Sequence, residues 1–223
     1  MSASQQRELS DQFARIGKAL GNGRRLELVE LLTQGERSVE ALADTAGLTV
    51  ANASQHLQHL RQAGLVTSRK DGQHVYYHVS DDRVVELLRL IRELTEARDN
   101  EVARLVRAFM GEGEPLEPIT PDELLERARQ GAVTVVDVRP ETEYTAGHIT
   151  GAINIPLDEL EQRLPELDSD RPVVAYCRGP YCLMGYEAVS RLRHHGIEAL
   201  RLSEGYPQWR SQGHPVESPG DEG

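Results

Sequence analysis

Residues 47–66 read Gly-Leu-Thr-Val-Ala-Asn-Ala-Ser-Gln-His-Leu-Gln-His-Leu-Arg-Gln-Ala-Gly-Leu-Val, and the fold of the first half of the chain turns on them. Thr49 is a helix-capping residue, Leu57 and Leu60 recur at helical spacing, and Gly64 ends the run. The stretch predicts one helix from Thr49 to Gly64. Upstream, Phe13, Ile16 and Leu20 mark a helix that stops at Gly21 and Gly23. Leu26, Leu28, Val29, Leu31 and Leu32 mark a second, ending near Gly35. Ser38 caps a short third helix with Val39, Leu42 and Ala43, which Gly47 stops.

Downstream the period changes from helix to strand. Leu65–Arg69 and His74–Val79 predict a β-hairpin turned at Lys70-Asp71-Gly72-Gln73, where Asp-Gly is the turn signal. Val84, Leu87, Leu88, Ile91 and Leu94 open a long helix expected to run as far as Phe109. Helix, Gly-containing turn, helix and hairpin in that order make a winged helix-turn-helix. Residues 110–118 are rich in Gly, Pro and Glu and read as a linker.

The second half has another rhythm. Thr120-Pro121-Asp122-Glu123 is a capping box with proline at the first helical position. Short apolar strands, Val133–Asp137 and Pro172–Tyr176, alternate with helical stretches at Glu159–Leu164 and Leu183–His194. That alternation predicts a parallel sheet covered on both faces. The expected organisation is residues 1–109 as a mostly α winged helix, 110–118 as linker, 119–216 as an α/β domain, and 217–223 as a disordered tail.

Charge is spread unevenly over the 223 residues and their net −11. Residues 1–100 carry 13 Lys and Arg against 14 Asp and Glu, and the remainder carries 12 against 22. The first part can present a basic face to nucleic acid, whereas the second is a poor candidate for DNA contact. No apolar run reaches the length of a membrane span, and the N-terminus has no signal-type segment, so a cytoplasmic protein without membrane contact is expected. The two cysteines, Cys177 and Cys182, are too few for a secreted disulfide framework. They read as redox, metal or sulfur chemistry, with two small buried apolar residues as the alternative.

The segment Ser38–Leu65, carried by Leu42-Ala43, Gly47-Leu48-Thr49, Ser54-Gln55-His56-Leu57 and Leu60–Val66, resembles the ArsR family of winged-helix repressors. The resemblance implies a homodimer, formed through the first and last helices, on a palindromic double-stranded operator. In the recognition helix Asn52, Ser54, Gln55, His56 and His59 are expected at DNA, with Gln55 able to pair bidentately with adenine. On the wing, Arg69, Lys70, Gln73 and His74 are expected at the backbone or minor groove. A merely solvated face is the alternative for Gln55, His56 and His59. The third-helix region lacks cysteine and the last helix lacks histidine, so the family's metal sites are not expected here.

Residues from about Ile119 to Val216 resemble a single rhodanese domain. The matching pieces are Val136–Arg139, Glu143-Tyr144, Gly147–Pro156, Tyr176-Cys177-Arg178 and Gly205–Trp209. The resemblance implies that Cys177 takes a sulfane sulfur from a donor such as thiosulfate, a persulfide or a polysulfide and passes it to a thiol or cyanide. The loop Cys177-Arg178-Gly179-Pro180-Tyr181-Cys182 follows a strand and precedes a helix, where backbone N–H groups and the helix N-terminus favour a thiolate. Its six residues match sulfurtransferases rather than the phosphatase relatives. Cys182 departs from the family pattern and reads either as a resolving thiol or as a buried helix-start residue. Arg178 is available for an anionic donor. Asp137, Arg139 and His148 read as structural. No cofactor is expected.

Together these readings point to a repressor that responds to reactive sulfur or redox signals through Cys177. A sulfurtransferase carrying a regulatory DNA-binding domain is the second reading, and an arsenic- or metal-responsive repressor the third.

Overall fold

A computed structural model describes residues 2–98, 101, 104, 105, 108, 118–168 and 170–218. The chain divides into two compact units, residues 1–88 and 89–223.

In the first unit, α1 (Ala3–Leu20) is opened by a reciprocal capping box between Ser2 and Gln5. Helix α2 (Gly23–Thr33) is capped by Asn22. A short strand, β1 (Arg37–Ser38), leads into α3 (Val39–Thr45), whose Ser38 cap accepts from Ala41 N–H. Thr49 caps α4 (Val50–Gln62) by accepting from Asn52 N–H. Both caps stand where their side chains predicted them. Leu28, Leu42, Leu57 and Leu60 are fully enclosed and fix the angle between these helices.

The wing is an antiparallel hairpin of β2 (Val66–Asp71) and β3 (His74–Val79), with β1 on the other side of β3. Its turn is tighter than the sequence suggested. Lys70 and Asp71 belong to the strand, Asp71 pairs with His74, and only Gly72 and Gln73 make the turn. Gly72 has a φ of 59°, which glycine adopts without steric cost at the first central position of a two-residue hairpin. Helix α5 (Arg83–Glu96) follows and gives way to a turn at Ala97 and Arg98. Of the expected continuation to Phe109, Glu101, Arg104, Leu105 and Ala108 are described and are helical. Its other residues beyond Arg98, and the stretch from 109 to 117, lie outside the described residues. Pro118 is already in a strand.

In the second unit a five-stranded sheet has the order β4 (Pro118–Ile119), β9 (Ala199–Leu202), β8 (Val173–Tyr176), β5 (Thr134–Asp137), β7 (Ile153–Asn154). Every neighbouring pair is parallel. Helix α6 (Pro121–Arg129) is capped by Thr120, but Glu123 pairs with Arg127 rather than returning to the cap. Helices α7 (Glu141–Ala146), α8 (Leu160–Arg163), α9 (Leu183–His194) and α10 (Tyr206–Ser211) also belong to the unit. One core contains Val173, Ala175 and Cys177 with Ala188, Val189 and Leu192 of α9. The other contains Val174 and Tyr176 with Tyr206 and Trp209 of α10. Alternation along β8 therefore feeds two cores from one strand.

The fully buried Asp137 and Arg139 form an ion pair at 2.6 Å. Arg139 also donates to the Gly147 carbonyl at 2.8 Å, and its guanidinium lies 4.4 Å from the centre of the Tyr206 ring. The pair thus ties the end of β5 to α7 and α10. At the C-terminus, β10 (Val216–Glu217) pairs with β6 (His148–Ile149), and Glu217 accepts from Gly151 N–H and meets His148. The chain thus holds regular structure one residue into the stretch expected to be disordered, because Glu217 has polar partners on the body of the domain. Asp137→Ala leaves a buried guanidinium without its carboxylate and is expected to cost about 3–5 kcal/mol, read as a lower denaturant midpoint for this unit.

Candidate functional site

Helix α4 turns Asn52, Gln55 and His59 to solvent on one side, as their spacing of three and four requires. Ser54 and His56 are half-buried at the edge of that face. His56 is held below the usual imidazole range, first by burial and then by Arg25, His59 and Arg24 nearby, and its Nδ1 has no hydrogen-bond partner. The structure thus brings the start of α2 near His56, with Arg24 paired to Glu27 and Arg25 donating to the Ala19 and Lys18 carbonyls. Nothing in their local pattern joins these arginines to a helix thirty residues on, so the sequence alone does not reveal them. Beside them a 340 Å³ pocket is lined by Arg15, Lys18, Arg25, His59 and Gln62.

The wing residues divide. Lys70 and Gln73 are exposed near the turn. Arg69 is turned back to Glu36, with Nε 2.9 Å from Oε2, and bridges to Asp71 at 3.1 Å while stacking 4.7 Å from the Tyr76 ring centre. His74 stands 3.5 Å from Glu40. Arg69 and His74 are therefore engaged by carboxylates, Arg69 by Glu36 and Asp71 and His74 by Glu40, whereas Lys70 is exposed beside the turn.

In the second unit, β8 ends at Tyr176 and the chain turns into Cys177–Cys182 before α9. The two cysteines are joined in a disulfide, with Cα atoms 6.2 Å apart. Cys182 stands at the cap position of α9, and Cys177 is buried. The loop is pinned from several sides. Tyr206 N–H donates to the Cys177 carbonyl at 3.1 Å, Tyr186 hydroxyl to the Pro180 carbonyl at 3.1 Å, and Cys182 N–H to the Gly179 carbonyl at 3.1 Å. Among the described residues, the amides of Gly179, Tyr181, Leu183 and Met184 donate to no protein acceptor. Tyr181 is partly buried, and burial raises its hydroxyl pKa above the usual range.

Arg178 differs from its expected role. Its Nε lies 3.0 Å from both carboxylate oxygens of the buried Glu143, with a further bond from the guanidinium at 2.6 Å. Its charge is met within the domain rather than held open for an anionic donor. Gly205 has a role that sequence alone did not reveal. A Cβ there would collide with the backbone of Arg178 and Gly179, so the start of α10 packs directly on the cysteine loop.

With this geometry in hand, the Helix-turn-helix domain family matches residues 20–69 and the Rhodanese-like domain family matches residues 120–212. The HTH-type transcriptional regulator Rv0324 of Mycobacterium tuberculosis is 49% identical over 209 residues, covering 94% of this chain and 92% of that protein. The chain belongs to this family of HTH-type transcriptional regulators. It joins an ArsR-type winged helix to a rhodanese-like domain. Two solved structures match the halves separately. The homodimeric winged helix-turn-helix DNA-binding domain of a Mycobacterium bovis protein is 41% identical and covers 44% of this chain and 91% of its own, with a TM-score of 0.41. A rhodanese-related protein of Thermoplasma volcanium is 29% identical and covers 45% and 96%, with a TM-score of 0.40.

In this regulator the recognition helix lies inside the first matched range and the cysteine loop inside the second. Among the described residues no helix is long and apolar enough to cross a membrane. Gly205→Ala is expected to push the Arg178–Gly179 peptide aside and cost about 1–3 kcal/mol of stability. The displaced loop should also fail to close the Cys177–Cys182 bond on air oxidation, leaving both cysteines reactive toward a thiol reagent, whereas in the parent both are tied up in the bond. Protection of both cysteines in the variant would show that this close approach does not shape the loop.

Proposed function

We propose that this regulator is a dimeric repressor whose grip on a palindromic operator is set by sulfur or redox chemistry at Cys177. The observation that carries the reading is the position of the chain's two cysteines. Both lie in one loop of a rhodanese-like domain, at the end of the central strand, and they are bonded to each other. The DNA-binding half has no cysteine, so a thiol-directed signal has one place to enter. Dimerisation is supported by the relative from Mycobacterium bovis, described as homodimeric, and by the apolar side chains Leu9, Phe13 and Ile16 left exposed on α1.

The chemistry balances without a cofactor. A Cys177 thiolate attacks a polysulfide, forming a Cys177 persulfide and releasing a shorter polysulfide. A Cys182 thiolate then attacks the Cys177 sulfur of that persulfide, closing the Cys177–Cys182 bond and expelling hydrosulfide. The dithiol is oxidised and the sulfane sulfur reduced. Closing the bond repositions the start of α9. A coupling of about 1–3 kcal/mol between this event and DNA affinity corresponds to roughly 5–150-fold relief. Thiosulfate or persulfide sulfur transfer at the same cysteine is the second reading, supported by the six-residue loop.

Polysulfide is expected to weaken operator binding by the parent chain and to leave Cys177→Ser unaffected. Cys182→Ser should load sulfur, as read by mass spectrometry, without forming the internal bond. Equal affinities with and without polysulfide in a parent chain that does load sulfur would favour the enzyme over the sensor. For the DNA face, Gln55→Ala should relax sequence preference by about 1–3 kcal/mol at one position. Lys70→Ala should weaken binding to all sequences and lower the salt slope by about 1. Titration of labelled duplex against salt measures both.

A further inference from the structure

Arg201 is a polar residue in the middle of a buried strand. It is 7% exposed, and it lies in β9 beside Ala175 of β8. Residues at i and i+2 of a strand share a face, so Arg201 issues on the same side of the sheet as Ala175 and Cys177. Gly185, in the first turn of α9, meets both. A Cβ built there would lie 3.4 Å from Cys177 Cβ and 3.7 Å from Arg201 Cδ. Cys177 and the Arg201 stem thus flank the same glycine on one side of the sheet, and the guanidinium sits 4.2 Å from the Tyr186 ring centre.

No anionic side chain meets its charge there. One guanidinium nitrogen donates to the Leu202 carbonyl at 2.8 Å, and Nε has no partner. Among the described residues no carboxylate pairs with it. Among the described residues, the buried Arg139 has Asp137, and the loop's own Arg178 has Glu143. Burial lowers the Arg201 pKa from its ordinary value, and the groups that act against this are the phenols of Tyr186 and Tyr181. Phenols carry no charge near neutral pH. Buried charges in proteins are ordinarily paired, because an isolated one is costly to desolvate. With Cys177 and Cys182 bonded, neither sulfur is charged.

We propose that Arg201 is the buried counter-ion of Cys177, compensated when Cys177 is a thiolate or persulfide and uncompensated when it is bonded to Cys182. Reduction by a small dithiol supplies two electrons and breaks the Cys177–Cys182 bond. The reductant closes to its own disulfide, one of its protons passes to Cys182 and the other to solvent, and Cys177 keeps the negative charge that Arg201 meets. The same cation favours anionic sulfur of the persulfide class over a neutral thiol at this position. The assignment rests on Cys177 being the sulfur-carrying group, but its test needs neither sulfur transfer nor DNA.

The test is the pH dependence of Cys177 alkylation by iodoacetamide in the reduced full-length chain. Cys182→Ser serves as the background, so that a single thiol is read. Adding Arg201→Gln keeps a donor for the Leu202 carbonyl and removes the charge. Adding Arg201→Lys keeps the charge. The midpoint of the alkylation profile is expected to rise by about one pH unit or more with Gln, a tenfold loss of thiolate at acidic pH, and to return toward the parent with Lys. Melting curves of the same proteins separate this from packing. With both cysteines present, Arg201→Gln should leave the oxidised chain as stable as the parent or more so, and lower the stability of the reduced chain at alkaline pH. If the Gln variant folds poorly when reduced, the oxidised-chain comparison and the Lys variant's alkylation profile still decide. Equal alkylation midpoints in Gln and parent, Lys behaving as Gln, or oxidised Arg201→Gln melting well below the parent would each overturn the assignment. Failure of polysulfide to load Cys177 with the alkylation shift intact would instead overturn the sulfur reading alone.

Discussion

The second unit depends on a four-residue strand that is buried on both faces. Val173–Tyr176 has parallel partners on both sides, and its side chains alternate between two separate cores. A shift of one residue would exchange Ala175 with Tyr176 and place a phenol ring under α9. The strand's register is therefore tightly held, and so is the point at which it ends. Cys177 inherits that precision. The α10 amide of Tyr206 grips its carbonyl, and Gly205 lets α10 come close enough to do so. The buried pair of Asp137 and Arg139 fixes the neighbouring strand to the same helix through Tyr206.

The first unit solves a different problem, which is to present polar side chains on a firm support. The recognition helix is clamped from behind by Leu57 and Leu60 and begins at a cap that its own sequence supplies. The hairpin is braced by Arg69, which joins Glu36 to β2 and lies over Tyr76. A cation that looks free in the sequence is thus part of the scaffold. Exposed pairs of this kind are worth little singly, but here one guanidinium meets two carboxylates and a ring.

Much of this was legible in the chain. Ser38 and Thr49 announced their helices through capping chemistry, which is local. The alternation of apolar strands with helices announced the parallel sheet. What the sequence hid is long-range. Arg69 and Glu36 are 33 residues apart, and Arg178 and Glu143 are 35 apart, so no spacing rule joins them. The burial of Arg201 was equally hidden, since an arginine between leucines in a short strand reads as a solvent-facing position. Gly205 was recognised as part of a motif, but its contact with Arg178 and Gly179 exists only in three dimensions. The wing turn is two residues shorter at its start than the Lys70–Gln73 that the sequence suggests, because Asp71 suits both a turn and the last rung of a hairpin.

The two sulfurs belong to residues only five apart on one loop. Closing so small a ring removes less freedom from the unfolded chain than closing a long loop, so this bond adds comparatively little to global stability. Its encounter is also intramolecular, which makes the rate of closure independent of how much protein the cell contains. A bond of this type can open and close in a folded domain, and its occupancy follows the surrounding chemistry rather than the protein's abundance.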